Sequence, residues 1–327
     1  MDVLSVRPLT WREGPAWLIV SRALELVITA TGGHLAAIRG RGDALNPLWQ
    51  PPWPAADPAG VVDGGAYGSG PEAPLLAGIV GHNTCLDRFG APWPGERRPV
   101  HGESGVVTWS VHQPSAYRVE WSAWLPEARL RLRKAIAIDG DAIILSHAVA
   151  HDDPAARAIE WCEHVNVGGA MLDGVRFAAG MDRVVNWPAG SEPDSRFPGL
   201  AGEAEIDPAH ALAFPVADAP ACGDVLCARV VSGWWTADNP RLRRRLTYRW
   251  DERDYPWLAL WTQHRSRRGA PWNGQARVRG MEFSTKPWPE GKPPASRAER
   301  YQGRPTTCLV PPGAWREHTM EIVWERT

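Results

Sequence analysis

Apolar and polar residues alternate at period two through most of this chain, a pattern that fits strands with one buried face and leaves little room for helices. Trp17-Leu-Ile-Val-Ser, Leu24-Glu-Leu-Val-Ile-Thr, Tyr117-Arg-Val-Glu-Trp-Ser-Ala-Trp-Leu and Leu130-Arg-Leu-Arg-Lys-Ala-Ile-Ala-Ile all follow it. Asp139-Gly140 falls between two such runs and predicts a tight hairpin turn. Further strands are expected at 155–165, 225–236, 244–250, 257–263 and 318–324. About twenty short strands in one chain predict an all-β fold, a large twisted antiparallel β-sandwich. Pro- and Gly-rich loops at 47–74, 92–99, 190–220 and 286–294 join them, and none is long or polar enough to be an interdomain linker. Residues 1–327 are therefore read as one domain without internal repeats.

Lys and Arg number 36 against 37 Asp and Glu. No basic field therefore favours nucleic acid or anionic lipid. No apolar run is long enough for a membrane helix, and the N-terminal segment lacks the basic-then-apolar order of a secretion signal. The expectation is a soluble cytoplasmic protein, monomer or homodimer, whose partner is a small molecule. Five cysteines, an odd number at scattered spacings, fit buried thiols rather than disulfides or paired zinc ligands. Gly-x-Gly-x-x-Gly and His-Glu-x-x-His patterns are both missing, so no nucleotide cofactor and no metal is expected. The chain has 19 Trp but only 5 Phe and 5 Tyr. Tryptophan offers a wide apolar face, one N–H donor and a ring that stacks on the C–H face of a sugar. A GC-rich coding bias, which also raises Ala, Arg, Gly and Pro, accounts for part of that excess.

Polar residues of catalytic type gather among glycines and tryptophans in three places. These are Gly81-His-Asn-Thr-Cys-Leu-Asp-Arg-Phe-Gly with the following His101-Gly-Glu-Ser-Gly, then Trp161-Cys-Glu-His-Val-Asn-Val-Gly, and Arg279-Gly-Met-Glu-Phe-Ser-Thr-Lys-Pro. Their order and spacing, over residues 20–325, resemble the aldose 1-epimerases of the galactose-mutarotase-like superfamily. That family has an Asn-Arg pair, a His-Gly-Gly element, an Asn-His segment on a strand and a late element carrying a glutamate. Here Asp87-Arg88, His101-Gly102-Glu103, Glu163-His164-Val165-Asn166 and Gly280-Met281-Glu282 stand in those places.

The resemblance implies a mutarotase-type supersandwich that interconverts sugar anomers. A base removes the proton of the C1 hydroxyl while an acid protonates the ring oxygen; the ring opens, the aldehyde rotates, and the groups exchange roles. It assigns Glu282 as base, His164 as acid, and His101 as the group that polarises the ring oxygen or a neighbouring hydroxyl. An imidazole titrates near neutrality and so recovers its proton readily. Arg88, with Asp87, Glu103 and Asn166, is implied to bind substrate, and Trp235 in Gly233-Trp-Trp-Thr is a further candidate. Asp87 in place of Asn, and Glu103 in place of the second Gly, imply an altered sugar preference. The Trp-rich segments at 46–53 and 233–236 imply a covered or extended pocket. The family's mid-chain substrate aspartate has three candidates, Asp182, Asp238 and Asp254.

Plainer readings stand beside these. Arg88 and Asp87 could form an internal salt bridge, His164 could be a buried hydrogen-bonded residue, and His34, His82 and His264 fit structure or pocket wall. The same scaffold also serves carbohydrate lyases, deglycosidases and non-catalytic sugar-binding modules, because fold does not fix function.

Overall fold

The computed structural model describes residues 1–96, 98–186, 192–197, 204–290 and 300–327. The first part of the chain forms strands β1 (Ser5–Trp11), β2 (Gly14–Val20), β3 (Leu24–Thr29) and β4 (Leu35–Gly40), then a short helix α1 (Ala73–Gly78) and β5 (His82–Cys85). Four long neighbours follow, β6 (Ser110–Ser115), β7 (Arg118–Leu125), β8 (Leu130–Asp139) and β9 (Ala142–Ala150). Next come β10 (Arg157–Ile159), β11 (Cys162–Gly168), β12 (Arg176–Asn186), β13 (Glu205–Ile206) and helix α2 (Pro208–Leu212). The last part holds β14 (Cys222–Asn239), β15 (Arg244–Trp250), β16 (Trp257–His264) and β17 (Arg277–Ser284). It ends with β18 (Arg300–Tyr301), β19 (Arg304–Pro305), β20 (Cys308–Val310) and β21 (Arg316–Arg326).

Seventeen of these strands join in one sheet, and its ladders are antiparallel. One run of pairing goes β1-β2-β3-β4-β5-β11-β17-β16-β14, and a second goes β14-β15-β21-β9-β8-β7-β6. The 18-residue β14 makes the transfer. Its Cys222–Arg229 portion pairs with β16 and its Trp234–Asn239 portion with β15. The two runs face each other across one apolar core, to which Leu26, Ile28, Ile136, Leu145, Leu246 and Ile322 contribute. Period-two alternation produces this arrangement directly, since every second side chain along a strand must find the same layer.

At the centre of that core stands a carboxylate. Glu163 on β11 accepts from His82 Nε2 and Thr84 at 3.0 Å, and from His147 Nδ1 at 2.6 Å, Trp161 Nε1 at 2.8 Å and the Tyr255 hydroxyl at 3.2 Å. Burial acts to raise its pKa, but His147 and His82 hold it well below the usual carboxylate range. Tyr248 on β15 completes the bridge between layers through His82 Nδ1, 3.3 Å away.

The expected strand at 155–165 is broken in two. Between β10 and β11 the backbone N–H of Glu160 goes to the Asp87 carbonyl and that of Trp161 to the Thr285 hydroxyl, so those residues leave the ladder. The loops expected at 190–220 and 286–294 lie partly outside the described residues. All five cysteines are buried thiols. Among the described residues no helix is long and apolar enough to cross a membrane.

Candidate active site

Successive residues of β11 point to opposite faces, so Glu163 in the core sends its neighbour His164 outward. Antiparallel pairing of β11 with β17 sets His164 directly opposite Glu282. Nε2 of His164 lies 3.3 Å from Oε1 of Glu282, and that oxygen has no hydrogen-bond partner among the described residues. Both side chains are buried. Desolvation pushes the Glu282 carboxyl well above its usual range, and negative charge on the nearby Cys85 sulfur, itself lowered to about 6, adds to it. Desolvation, then the neighbouring His101, pushes His164 well below its own. Burial thus disfavours the charged form of each group.

Gly280 is what lets the carboxylate sit there. A Cβ at that position would come 2.2 Å from Glu282 Oε1, because residues two apart on a strand share a face and this side chain leans back over its neighbour.

His101 arrives from a loop. Its backbone has φ +64°, and Gly102 beside it has φ +76° and no room for a Cβ, which would meet the Leu86 carbonyl at 2.0 Å. The His101 N–H donates to the Gly90 carbonyl at 2.8 Å, and the Gly90 N–H donates back to His101 Nδ1 at 3.1 Å. Nδ1 is thus an acceptor, which leaves Nε2 to carry the hydrogen of the neutral ring. The ring stacks on Phe89 and stands edge-on to His164, with centroids 5.3 Å apart.

These three side chains line a cavity of about 210 Å³. Trp261 on β16 forms the wall next to His164, at 5.8 Å between ring centroids, and its buried Nε1 has no partner among the described residues. Trp272 stands edge-on to Trp261 and stacks on Trp49, which with Trp53 belongs to the Trp-rich segment at 46–53. That segment therefore props the cavity wall from behind. Across both rings lies Arg267, whose guanidinium carbon is 5.5 Å from the Trp261 centroid and 4.9 Å from that of Trp272. Glu192 at 2.9 Å and Glu72 at 2.7 Å accept its hydrogen bonds.

The remaining candidates do not line the cavity. Arg88 is buried under Trp93 and paired with Glu96 and Asp87, and Asp87 is paired in turn with Arg98 at 2.8 Å, so the internal salt bridge is what forms. Glu103 accepts the backbone N–H groups of Glu127 at 3.2 Å and Ala128 at 2.7 Å and so anchors a turn. Asn166 donates to the Gly81 carbonyl at 2.9 Å and to Asn83 at 3.2 Å, tying β11 to the start of β5. Trp235 faces the core, fully buried and stacked on Tyr248 at 4.6 Å; the phase of β14 turns it inward and Trp234 outward. Asp182, Asp238 and Asp254 pair with Arg229, Arg245 and Arg316 away from the cavity. His82 belongs to the Glu163 cluster on the opposite face from His164. Glu72, Glu192, Arg267, Trp261 and Trp272 were not anticipated. The Trp-rich composition pointed toward the two tryptophans, without position.

No family model and no curated protein matches the chain. Solved structures do. A Klebsiella pneumoniae protein provisionally named an aldose 1-epimerase superposes with TM-score 0.68 at 16% identity, covering 99% of this chain and 84% of that one. A galactose mutarotase-like protein from Clostridium acetobutylicum gives 0.66 at 11%, covering 99% of each. The Slr1438 protein from Synechocystis gives 0.65 at 12%, covering 98% and 97%. The chain thus has the all-β galactose mutarotase-like fold.

Proposed function

We propose that a chain with this fold opens and recloses the ring of a cyclic sugar hemiacetal, as an aldose 1-epimerase. The observation that carries the reading is the buried His164–Glu282 pair, two titratable groups 3.3 Å apart at the wall of a cavity. Anomer exchange takes one proton from O1 and adds one to O5, so the net change is zero. A pair with one proton and one vacant acceptor performs both transfers and is regenerated at the end.

Burial favours the tautomer in which Glu282 is the acid and His164 the base. Moving the same proton across 3.3 Å gives the carboxylate and imidazolium, with Glu282 as base and His164 as acid. Opening and closure use the two arrangements in turn. His101, with Nε2–H presented by the Gly90 clasp, donates to the oxygen on which charge develops.

The test is anomer exchange of freshly dissolved α-aldoses, followed by polarimetry or NMR with and without protein. Glu282→Gln keeps the shape and removes the proton transfer; the rate should fall about 10²-fold or more, with sugar affinity retained. The same variant should unfold at a higher temperature, since the amide loses the desolvation penalty of the carboxylate. Undiminished turnover would remove Glu282 from the mechanism.

A further inference from the structure

Ten of the sixteen residues that line the cavity are apolar or glycine. His101, His164 and Glu282 stand together with the unpartnered Trp261 Nε1, and the carboxylates of Glu72 and Glu192 also line the cavity. Arg267, the other strong donor, is engaged by Glu72 and Glu192. The apolar part of the wall is Leu75 and Leu76 of α1, with Ile79 and Val225, all buried and continuous with the Trp49, Trp53 and Trp272 cluster.

A hexose carries hydroxyls around its whole ring. Those near C1 and the ring oxygen meet His101, His164 and Glu282; one pressed against Leu76 or Val225 exchanges its water hydrogen bonds for none. A hydrogen or methyl in that place gains apolar contact instead. The ion-paired Arg267 likewise presents no unopposed charge to a phosphate or carboxylate. Resting on the epimerase reading, we infer that the preferred substrate is an uncharged aldose whose ring bears an apolar substituent, a deoxy carbon or an O-alkyl group, seated against Leu75, Leu76, Ile79 and Val225.

The experiment is a panel of anomer-exchange rates on the wild-type protein, with uncatalysed rates subtracted. It compares galactose and glucose with 6-deoxygalactose, 2-deoxyglucose and 3-O-methylglucose. At least one substituted sugar should exceed its parent in kcat/KM by roughly ten-fold, the factor expected for one hydroxyl no longer left unpaired. Parents equal to or better than every substituted sugar would overturn this inference and leave the epimerase reading standing. No acceleration of any sugar would overturn the epimerase reading and this inference with it. Val225→Thr, which exchanges a methyl for a hydroxyl opposite Trp261 on the neighbouring strand, should narrow the ratio between substituted and parent sugar. An unchanged ratio would show that this wall does not touch the substituent.

Discussion

Replacing Gly280 with alanine tests the site without touching any group that exchanges protons. The new Cβ would stand 2.2 Å from Glu282 Oε1, and contacts to a real Cβ essentially never fall below 3.0 Å, so the oxygen must retreat by at least the difference, 0.8 Å. Ordinary contact at 3.4 Å asks for 1.2 Å. A displacement of about 1 Å in a reacting group costs about 10²-fold in rate, or about 2.7 kcal/mol of transition-state stabilisation. The fold should tolerate the change. Gly280 is not among the residues with positive φ, and the other near neighbour is Trp261 Cβ at 3.0 Å, which has to yield only a few tenths of an ångström. Stability should therefore shift by about 1 kcal/mol or less in either direction. Polarimetric kcat and a thermal melt, measured together, decide the matter. A variant as fast as wild type would refute the claim that the carboxylate works from this spot. A rate loss accompanied by a collapse in melting temperature would assign the effect to the fold instead.

Two further predictions concern the core. Glu163→Gln keeps the volume but puts an amide donor among five donors, and should destabilise the protein by about 3–5 kcal/mol in urea titrations. Little change there would mean that the cluster reorganises around the amide. Burial lowers His147 to about 4, and His34 and His318 to about 3. Below pH 6.5 the unfolded chain then binds protons that the folded chain refuses, so stability falls as pH drops from 6.5 toward 4, by up to roughly 1.4 kcal/mol per pH unit for each histidine. The Glu163 carboxylate acts in the same direction, contributing stability above its unfolded pKa that is lost as pH falls through the lower folded one. Urea midpoints that coincide at pH 7 and pH 5 would contradict this.

The strands were legible because alternation at period two is a local signal, and β15 occupies the 244–250 span that the sequence predicted. The break at Glu160 and Trp161 was not, since it depends on Asp87 and Thr285, distant along the chain. Glu282, His164 and His101 could be picked out by order and spacing, and the sheet brings them to one cavity. Trp235 was misassigned for a physical reason: it stands beside Trp234, and two adjacent tryptophans give no phase in the sequence, although burial alternates along this part of β14. Arg88 was ambiguous because a buried guanidinium reads alike whether its carboxylate comes from a ligand or from Glu96 in the next loop. Arg267 had no local mark at all. Its meaning comes from Glu72 and Glu192, which stand 195 and 75 residues away.

The reactive pair belongs to the sheet, held by the register of β11 against β17, whereas much of the surrounding wall comes from α1 and loop residues such as Gly90, Val100 and Pro289. Strand register is an all-or-none property, and a slip by one residue would send Glu282 into the core beside Glu163. Loop walls change one side chain at a time. Selectivity is therefore free to drift, or to be engineered, through Leu75, Leu76 and Ile79 while the proton chemistry stays fixed. If the proposed epimerase reading holds, a descendant with a different sugar and the same reaction is the expected product of such drift.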